Sequence, residues 1–329
     1  MLSTVQDLGR FHYRLDGVVL GGALDDVAHQ VANWMVGNSA DAATLEITLG
    51  GVKLRFLHKH RFSLTGADCD AELDGKKIRC WWSYIAQPGQ VLHLRAPRFG
   101  MRTMLAVRGG IDVPLVLGSY STNLKASFGG MMGRALKSGD TIAVRSTVNL
   151  AWGVHFNPTL VPSTNEGADL AFGIVAYPAY GSTLTDSPCL IRVIPGPEYV
   201  RFDDVSQHAC WNCEYKITAS SDRTAYRLAG APLVRRPDKL QEMLSHAVFP
   251  GVIQVPPSGQ PIILLKDAQT TGGYPKLGVV IAADLWRLAQ LPLGARLQLV
   301  PVTAEDARMA AEDLSDYLSQ VKQILSISD

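Results

Sequence analysis

The sequence predicts a mainly β protein with a few helices, divided into two domains. Three observations carry that prediction. Short segments in which apolar and polar residues alternate recur along most of the chain, the period of a half-buried strand. Gly-Gly pairs at Gly50-Gly51, Gly109-Gly110, Gly129-Gly130 and Gly272-Gly273 punctuate those segments; many short strands with Gly/Pro turns indicate barrels or sandwiches rather than a doubly wound sheet. The chain has 329 residues, beyond the roughly 250–300 at which single cores stop growing.

The first helix is expected between Ala23 and Val36, where Leu24, Val27, Ala28, Val31, Ala32, Met35 and Val36 follow i, i+3, i+4 spacing. Asp25 and Asp26 stand in its first turn, where the helix dipole favours anions, and Gly37-Asn38 supplies the stop. Val52, Leu54 and Phe56 then alternate as a strand. Asp74-Gly75, flanked by Ala71–Leu73 and Lys77-Ile78, reads as a hairpin turn in which both positions take positive φ. Further strands are expected at Val91–Arg95, Thr103–Arg108, Thr141–Arg145, Leu190–Ile194, Tyr215–Ala219, Val252–Val255, Pro261–Leu265, Gly278–Ala282 and Arg296–Val300. Residues 146–187 lack sustained periodicity and read as a linker or long loop between an N-terminal domain (1–145) and a C-terminal one (188–329). A short helix is expected after Asp238, carrying Leu240, Met243 and Leu244 inward. The last runs from about Ala304 to Leu325, with Thr303 as N-cap and Asp306 at the acidic capping-box position.

Composition excludes several classes of function. Hydrophobic residues make up 47% and charged residues 19%, a globular balance. Lys plus Arg is 31 against 30 for Asp plus Glu, a net charge of +1, so no footprint for nucleic acid or an anionic membrane is expected. The opening residues lack a basic stretch followed by an apolar one, and no apolar run approaches the ~18 residues that span a bilayer. Five cysteines at irregular spacings (Cys69, Cys80, Cys189, Cys210, Cys213) point to a reducing, cytoplasmic setting rather than a disulfide framework.

The chain has no phosphate loop, no His-Glu-x-x-His and no Gly-x-Ser-x-Gly elbow. Cys210-Trp211-Asn212-Cys213 has no second Cys pair to complete a zinc site and does not head a helix in a βαβ unit, so two ordinary thiols are expected and no metal. The densest polar and glycine signal is Pro250–Lys276. There Gln254, Gln269, Thr270 and Thr271 offer neutral hydrogen-bonding groups and Tyr274 an aromatic ring. Gly272 and Gly273 bring backbone close to whatever lies above them, and Lys276 adds positive charge. An anion cradle and an elaborate turn both fit this segment. In Ser220–Arg227, Arg223 and Arg227 have the donors to hold a carboxylate or phosphate, with Asp222 orienting one of them; an Asp–Arg pair of purely structural kind at a strand start fits somewhat better. Asp25 and Asn33 at the first helix read either as site residues or as a cap and a satisfied buried amide.

Several segments carry a family resemblance: Thr4–Arg10, Gly22–Asp25, Ala32-Asn33 with Val36–Asn38, Leu45–Thr48, Leu105–Pro114, Leu117–Ser119, Gly196–Glu198, Pro250–Pro256 and Asp267–Lys276. Together they resemble, in order and over nearly the whole chain, the biotin-dependent carboxyltransferase/allophanate-hydrolase-subunit-2 family, which includes the Kip antagonist. Gly196-Pro197-Glu198-Tyr199 with Phe202-Asp203 and the C-terminal helix is most similar to the branch formed by the C subunits of ATP-dependent 5-oxoprolinases. The resemblance implies two cyclophilin-like β barrels, a B-subunit partner and an A subunit of another fold. It also implies conversion of 5-oxo-L-proline, ATP and water to L-glutamate, ADP and phosphate, with ATP, and its magnesium, shared with the partner. Asp222, Arg223 and Lys276 are then expected to be catalytic. Arg227, Gln254, Gln269, Thr270, Thr271, Gly272, Gly273, Tyr274, Asp25 and Asn33 are expected to bind substrate or nucleotide.

Two alternatives stay open: a carboxyltransferase component using carboxybiotin brought by another chain, and a Kip-antagonist-like regulator without catalysis. The chain departs from the family at Thr224-Ala225, where Met-Gly is usual, and at Tyr120 and Asn123, where Arg and Asp are usual; Ala225 is expected to limit how closely a ligand approaches. Met1 falls almost on a short strand that usually precedes Thr4–Asp7, so the first barrel is expected to be short of an edge strand.

Overall fold

The computed structural model describes residues 2–145, 172–173, 187–239 and 243–325. It is mainly β with four α-helices, in two compact units whose chain segments interleave. The first comprises residues 1–9, 21–181 and 315–329, and the second 10–20 and 182–314. Apart from Phe172-Gly173, the expected linker lies outside the described residues.

In the first unit, β1 (Leu2–Gln6), β2 (Thr44–Thr48), β4 (His60–Asp68), β7 (Trp82–Ala86), β9 (Phe99–Val107) and β10 (Phe172–Gly173) form a six-stranded sheet in the order β1-β2-β9-β4-β7-β10. The others, β3 (Val52–Arg55), β5 (Glu72–Leu73), β6 (Lys76–Lys77) and β8 (Val91–Leu94), form a second sheet, β3-β8-β5-β6. Helix α1 (Asp26–Met35) lies on the larger sheet, where Ser63 Oγ and Thr65 Oγ1 donate to the Ala32 and Ala28 carbonyls, each at 2.6 Å. The other face covers a core that includes Leu45, Ile47, Phe62, Leu64, Leu92 and Leu105. Covered on both faces, β2 is buried at every position, although Thr44, Leu45, Glu46, Ile47 and Thr48 alternate polar and apolar along the chain.

Asp7 ties the loop after β1 to residues 119–121. Its carboxylate accepts from Gly9 N (2.8 Å), Tyr120 N (2.6 Å), Ser119 Oγ (2.7 Å) and Ser121 Oγ. Among the described residues, strand β1 is itself an edge strand, paired with β2 alone. The Asp74-Gly75 turn forms as expected, with φ of 49° and 76°. Thr141–Arg145 is not a strand: its pairing is one isolated bridge, Ile111 to Val144.

The second unit is a closed barrel of seven strands: β11 (Cys189–Pro195), β12 (Glu214–Ile217), β13 (Ala225–Ala229), β15 (Val252–Gln254), β16 (Ile262–Leu264), β18 (Lys276–Val280) and β19 (Arg296–Pro301). Closure comes from β11 pairing antiparallel with β18 and parallel with β19. A small hairpin, β14 (His246–Ala247) with β17 (Thr271–Gly272), stands beside it. Inward residues alternate along β12 and β19, as the period of two requires.

Helices α2 (Asp204–Asn212) and α3 (Leu285–Gln290) were not anticipated; α2 is capped by Asp203, whose carboxylate accepts from Ser206 N at 2.7 Å. Helix α4 (Ala304–Ile324) has the expected capping box. Asp306 N donates to Thr303 Oγ1 at 3.1 Å and Thr303 N donates to Asp306 Oδ2 at 2.8 Å. Of the helix expected after Asp238, residues 240–242 lie outside the described residues; Pro237–Lys239 is a single 3₁₀ turn, and Leu244, expected inward, is 92% exposed. Among the described residues no helix is long and apolar enough to cross a membrane.

Candidate functional site

Among the buried polar atoms without partners in the barrel wall of the second unit, which include Tyr215 Oη, two donors stand side by side. Gln254 ends β15 and faces Lys276, the first residue of β18, directly across the ladder, with a register irregularity at Ile253/Gln254. Cross-strand neighbours leave a sheet on the same face. Both are buried, at 2% and 9% exposure, and neither Gln254 Nε2 nor Lys276 Nζ has a hydrogen-bond partner among the described residues. Buried donors are nearly always satisfied, so two orphans side by side point to a missing oxygen. Burial lowers the Lys276 pKa from its ordinary value, and the Glu198 carboxylate pulls the other way.

Three further groups border this pair. Glu198 Oε2 accepts from Lys276 N at 3.2 Å, and Glu198 Oε1 lies 3.7 Å from His246 Nε2. His246 Nδ1 lies 3.0 Å from the Leu244 carbonyl, an acceptor that fixes the proton on Nδ1. His246 in turn pairs in register with Gly272. A Cβ on Gly272 would sit 2.5 Å from Gln254 Nε2, and one on Gly273 would sit 2.9 Å from the Met243 carbonyl. Close approach to backbone, not positive φ, favours glycine at Gly273, whereas at Gly272 only the end of the Gln254 side chain would have to move. Glu198 stood in the Gly-Pro-Glu segment of the family resemblance, but nothing local marked it or His246 as neighbours of Lys276.

Other expected site residues fall differently. Asp222 does not orient an arginine: its Oδ1 accepts from Thr224 N (2.7 Å) and Ala225 N (3.2 Å), shaping the turn into β13. Arg223 pairs instead with Asp267, with Nε and Nη2 at 2.9 and 3.2 Å from its two oxygens, and both backbones are also joined. The pair is nearly buried and anchors the start of the segment that runs on to Gly272 and Lys276. Arg227 is exposed on β13, so Arg223 and Arg227 do not form one buried clamp. Gln269, Thr271 and Tyr274 are exposed and Thr270 is half-buried, with its carbonyl accepting from Val248 N. Ala225 belongs to the apolar core with Val252 and Leu264.

Asp25 and Asn33 belong to the first unit and serve its interior. Asp25 accepts from Ala28 N at 2.8 Å as the α1 cap. Asn33 donates to the Ala42 carbonyl (2.8 Å) and accepts from Asn38 (3.0 Å). Cys210 lies inside the last turn of α2 and Cys213 is its C-cap, the opposite end from a redox motif; burial pushes the Cys210 thiol up to about 12. Among the described residues no three His, Cys, Asp or Glu side chains gather to hold a metal.

Residues 16–301 match the family described as "Carboxyltransferase domain, subdomain A and B". The chain belongs to the carboxyltransferase-domain family. Among curated relatives of this carboxyltransferase-domain protein, the 5-oxoprolinase C subunit of Escherichia coli (strain K12) is 42% identical over 321 residues, 98% of this chain and 95% of that one. The protein of the same name from Haemophilus influenzae is 38% identical over 98% of this chain and 96% of its own. Among solved structures, the urea amidolyase of K. lactis superposes with a TM-score of 0.82 at 28% identity; the match covers 97% of this chain but only 19% of that one. The carboxyltransferase-domain fold and the resemblance read from the residues therefore agree.

Proposed function

We propose that this chain is the C subunit of an ATP-dependent 5-oxoprolinase, acting beside a B subunit and an A subunit in the cytoplasm. The observation that carries the reading is the pair of orphaned donors, Gln254 Nε2 and Lys276 Nζ, beside the Gly272 backbone. The 42% identity to a 5-oxoprolinase C subunit over nearly the full length of both chains supports it.

A lactam resists water because its amide is resonance-stabilised. Transfer of the γ-phosphoryl group of ATP to the lactam oxygen releases ADP and leaves an electrophilic carbon. One water adds there, the ring C–N bond breaks with protonation of nitrogen, and a second water releases phosphate and L-glutamate. Each stage places negative charge on an oxygen, which preorganised donors stabilise best where water is excluded. In this reading Lys276 and Gln254 hold that oxygen, and Glu198 with His246 carries a proton to or from the reacting group. Arg223 acts through Asp267 as a positioning residue. The described residues present no carboxylate set for the magnesium that accompanies ATP, so no step is assigned to it.

The test is ATP-dependent glutamate release from 5-oxoproline by this chain with its genomic B and A neighbours, each omitted in turn. Release that needs all three, and that falls at least about 100-fold in Lys276→Met, is the expected result. An assembled, folded complex that releases no glutamate sinks the reading. The likeness to urea amidolyase favours a second one, in which the same donors polarise the ureido carbonyl of carboxybiotin carried by another chain. Carboxyl transfer from carboxybiotin without glutamate release would select it. A complex that does neither, yet binds a B-subunit partner tightly, would select the regulatory reading.

A further inference from the structure

The first unit contains a cavity of about 590 Å³ that the proposed function does not use. It opens where β2, β3 and β9 meet residues 140–144, and Leu45, Leu54, Phe56, Leu105, Val107 and Ile142 form its apolar walls. That volume lies in the range of small-molecule sites, and the mouth of a β-barrel-like sheet is a common place for one.

Its charged groups are of one effective sign. Lys53 and Arg55 on β3 and His58 and His60 just after it contribute to the lining. Lys53 and Arg55 are exposed, and among the described residues neither has a carboxylate partner. The one lining carboxylate, Asp140, is already compensated: Arg134 holds both its oxygens at 2.7 and 2.9 Å, and Lys137 N donates at 2.8 Å. An apolar interior with unpaired cations at its edge is complementary to a molecule with an apolar body and one anionic end.

We propose that this cavity binds a small amphipathic carboxylate, an alkyl or aryl carboxylic acid whose chain enters among Leu54, Phe56 and Leu105 while its carboxylate meets Lys53 and Arg55. The lining shares no residue with the Gln254 and Lys276 site, and the assignment does not depend on the chemistry proposed there.

Titration calorimetry of the full chain with decanoate, and with decanol as the neutral analogue, tests it. Saturable one-site binding of decanoate is expected, weakened about tenfold or more by Arg55→Glu, with decanol changed less than about twofold. Ile142→Trp, which fills the cavity from an already half-buried position, should abolish binding of both. Lys276→Met should leave decanoate binding unchanged. Absence of saturation at millimolar decanoate overturns the proposal. So does decanoate affinity that survives both substitutions, or an equal loss of decanol and decanoate in Arg55→Glu.

Discussion

Lys276 carries an ammonium into a barrel wall where no acceptor meets it among the described residues. Burying such a group without compensation costs stability. Its folded pKa lies below the ordinary 10.5, so the unfolded chain binds the proton more tightly. That penalty is full below the folded value and fades as pH rises through it toward 10.5. Lys276→Met is therefore expected to raise the urea unfolding free energy by about 1–3 kcal/mol at pH 7 while glutamate release is lost; a variant less stable than wild type would contradict the reading of an orphaned charge. Arg223 is the opposite case. Arg223→Ala strips a buried pair of one partner and should cost about 3–5 kcal/mol. Arg223→Met with Asp267→Leu should recover most of that stability, and turnover should recover with it if the pair only holds the segment in place. Recovery of stability without turnover would return Arg223 to contact with substrate. The identities of Gln254, Gly272 and Lys276 were legible in the sequence as a dense polar, glycine-flanked run. The state of Lys276 was not, because Glu198 and His246 come from segments 78 and 30 positions away along the chain.

Among the elements, β18 and the hairpin strand β17 offer a paired test of close approach. A Cβ on Gly278 would lie 2.5 Å from the Ile194 carbonyl, a backbone atom fixed in the β11–β18 ladder. Gly278→Ala should therefore lower the thermal midpoint strongly. Gly272→Ala meets only the end of the Gln254 side chain, so the fold should stand while turnover falls as the amide is displaced. Equal thermal losses in the two variants would show that Gly272 serves the fold alone. The turn from Arg134 to Asp140 gives a pH signature. Hydrogen bonds from Arg134, then from Lys137 N, hold the Asp140 carboxyl at about 2 against an ordinary 3.8. The folded group is depressed, so its stabilisation is whole above pH 3.8 and is lost as pH falls toward 2. Asp140→Asn should flatten the acid limb of a thermal-shift profile in that window. Strands exposed on one face were legible from alternation, as in Val52–Arg55, and α4 from its capping box. Strands β2 and β4 were missed although apolar and polar residues alternate in Thr44–Thr48 and in Phe62–Thr65. Helix α2 was missed because its buried residues are only Ser206 and Cys210, too few to show a helical stripe.

At the scale of the molecule, the prediction of a mainly β chain rested on alternating segments punctuated by Gly/Pro turns and holds. The way the chain divides did not show in the sequence, because residues 10–20 and 315–329 carry no compositional mark of the unit they join. Arg14 illustrates the point: its Nη2 donates to the Val248 carbonyl at 2.5 Å, within the second unit and 234 positions on. Cutting the chain at residue 181 should therefore yield two poor proteins rather than two domains. Residues 182–329 alone are expected to lack a cooperative thermal transition by near-ultraviolet circular dichroism, and co-expression with residues 1–181 is expected to restore it. An isolated 182–329 fragment that unfolds cooperatively would mean the 10–20 segment is dispensable.

That interleaving also sets a timetable on the ribosome. Residues 10–20 emerge among the first and must wait, unsheltered, until residues 182–314 have been made. The first unit, most of which is synthesised early, receives its closing segment 315–329 last of all. All of the second unit has been made before the first receives that last segment, so the usual order of N-terminal domain first, C-terminal domain second is unavailable to this chain. Completion of the first unit is therefore the last event, although every strand of its six-stranded sheet lies within residues 2–173.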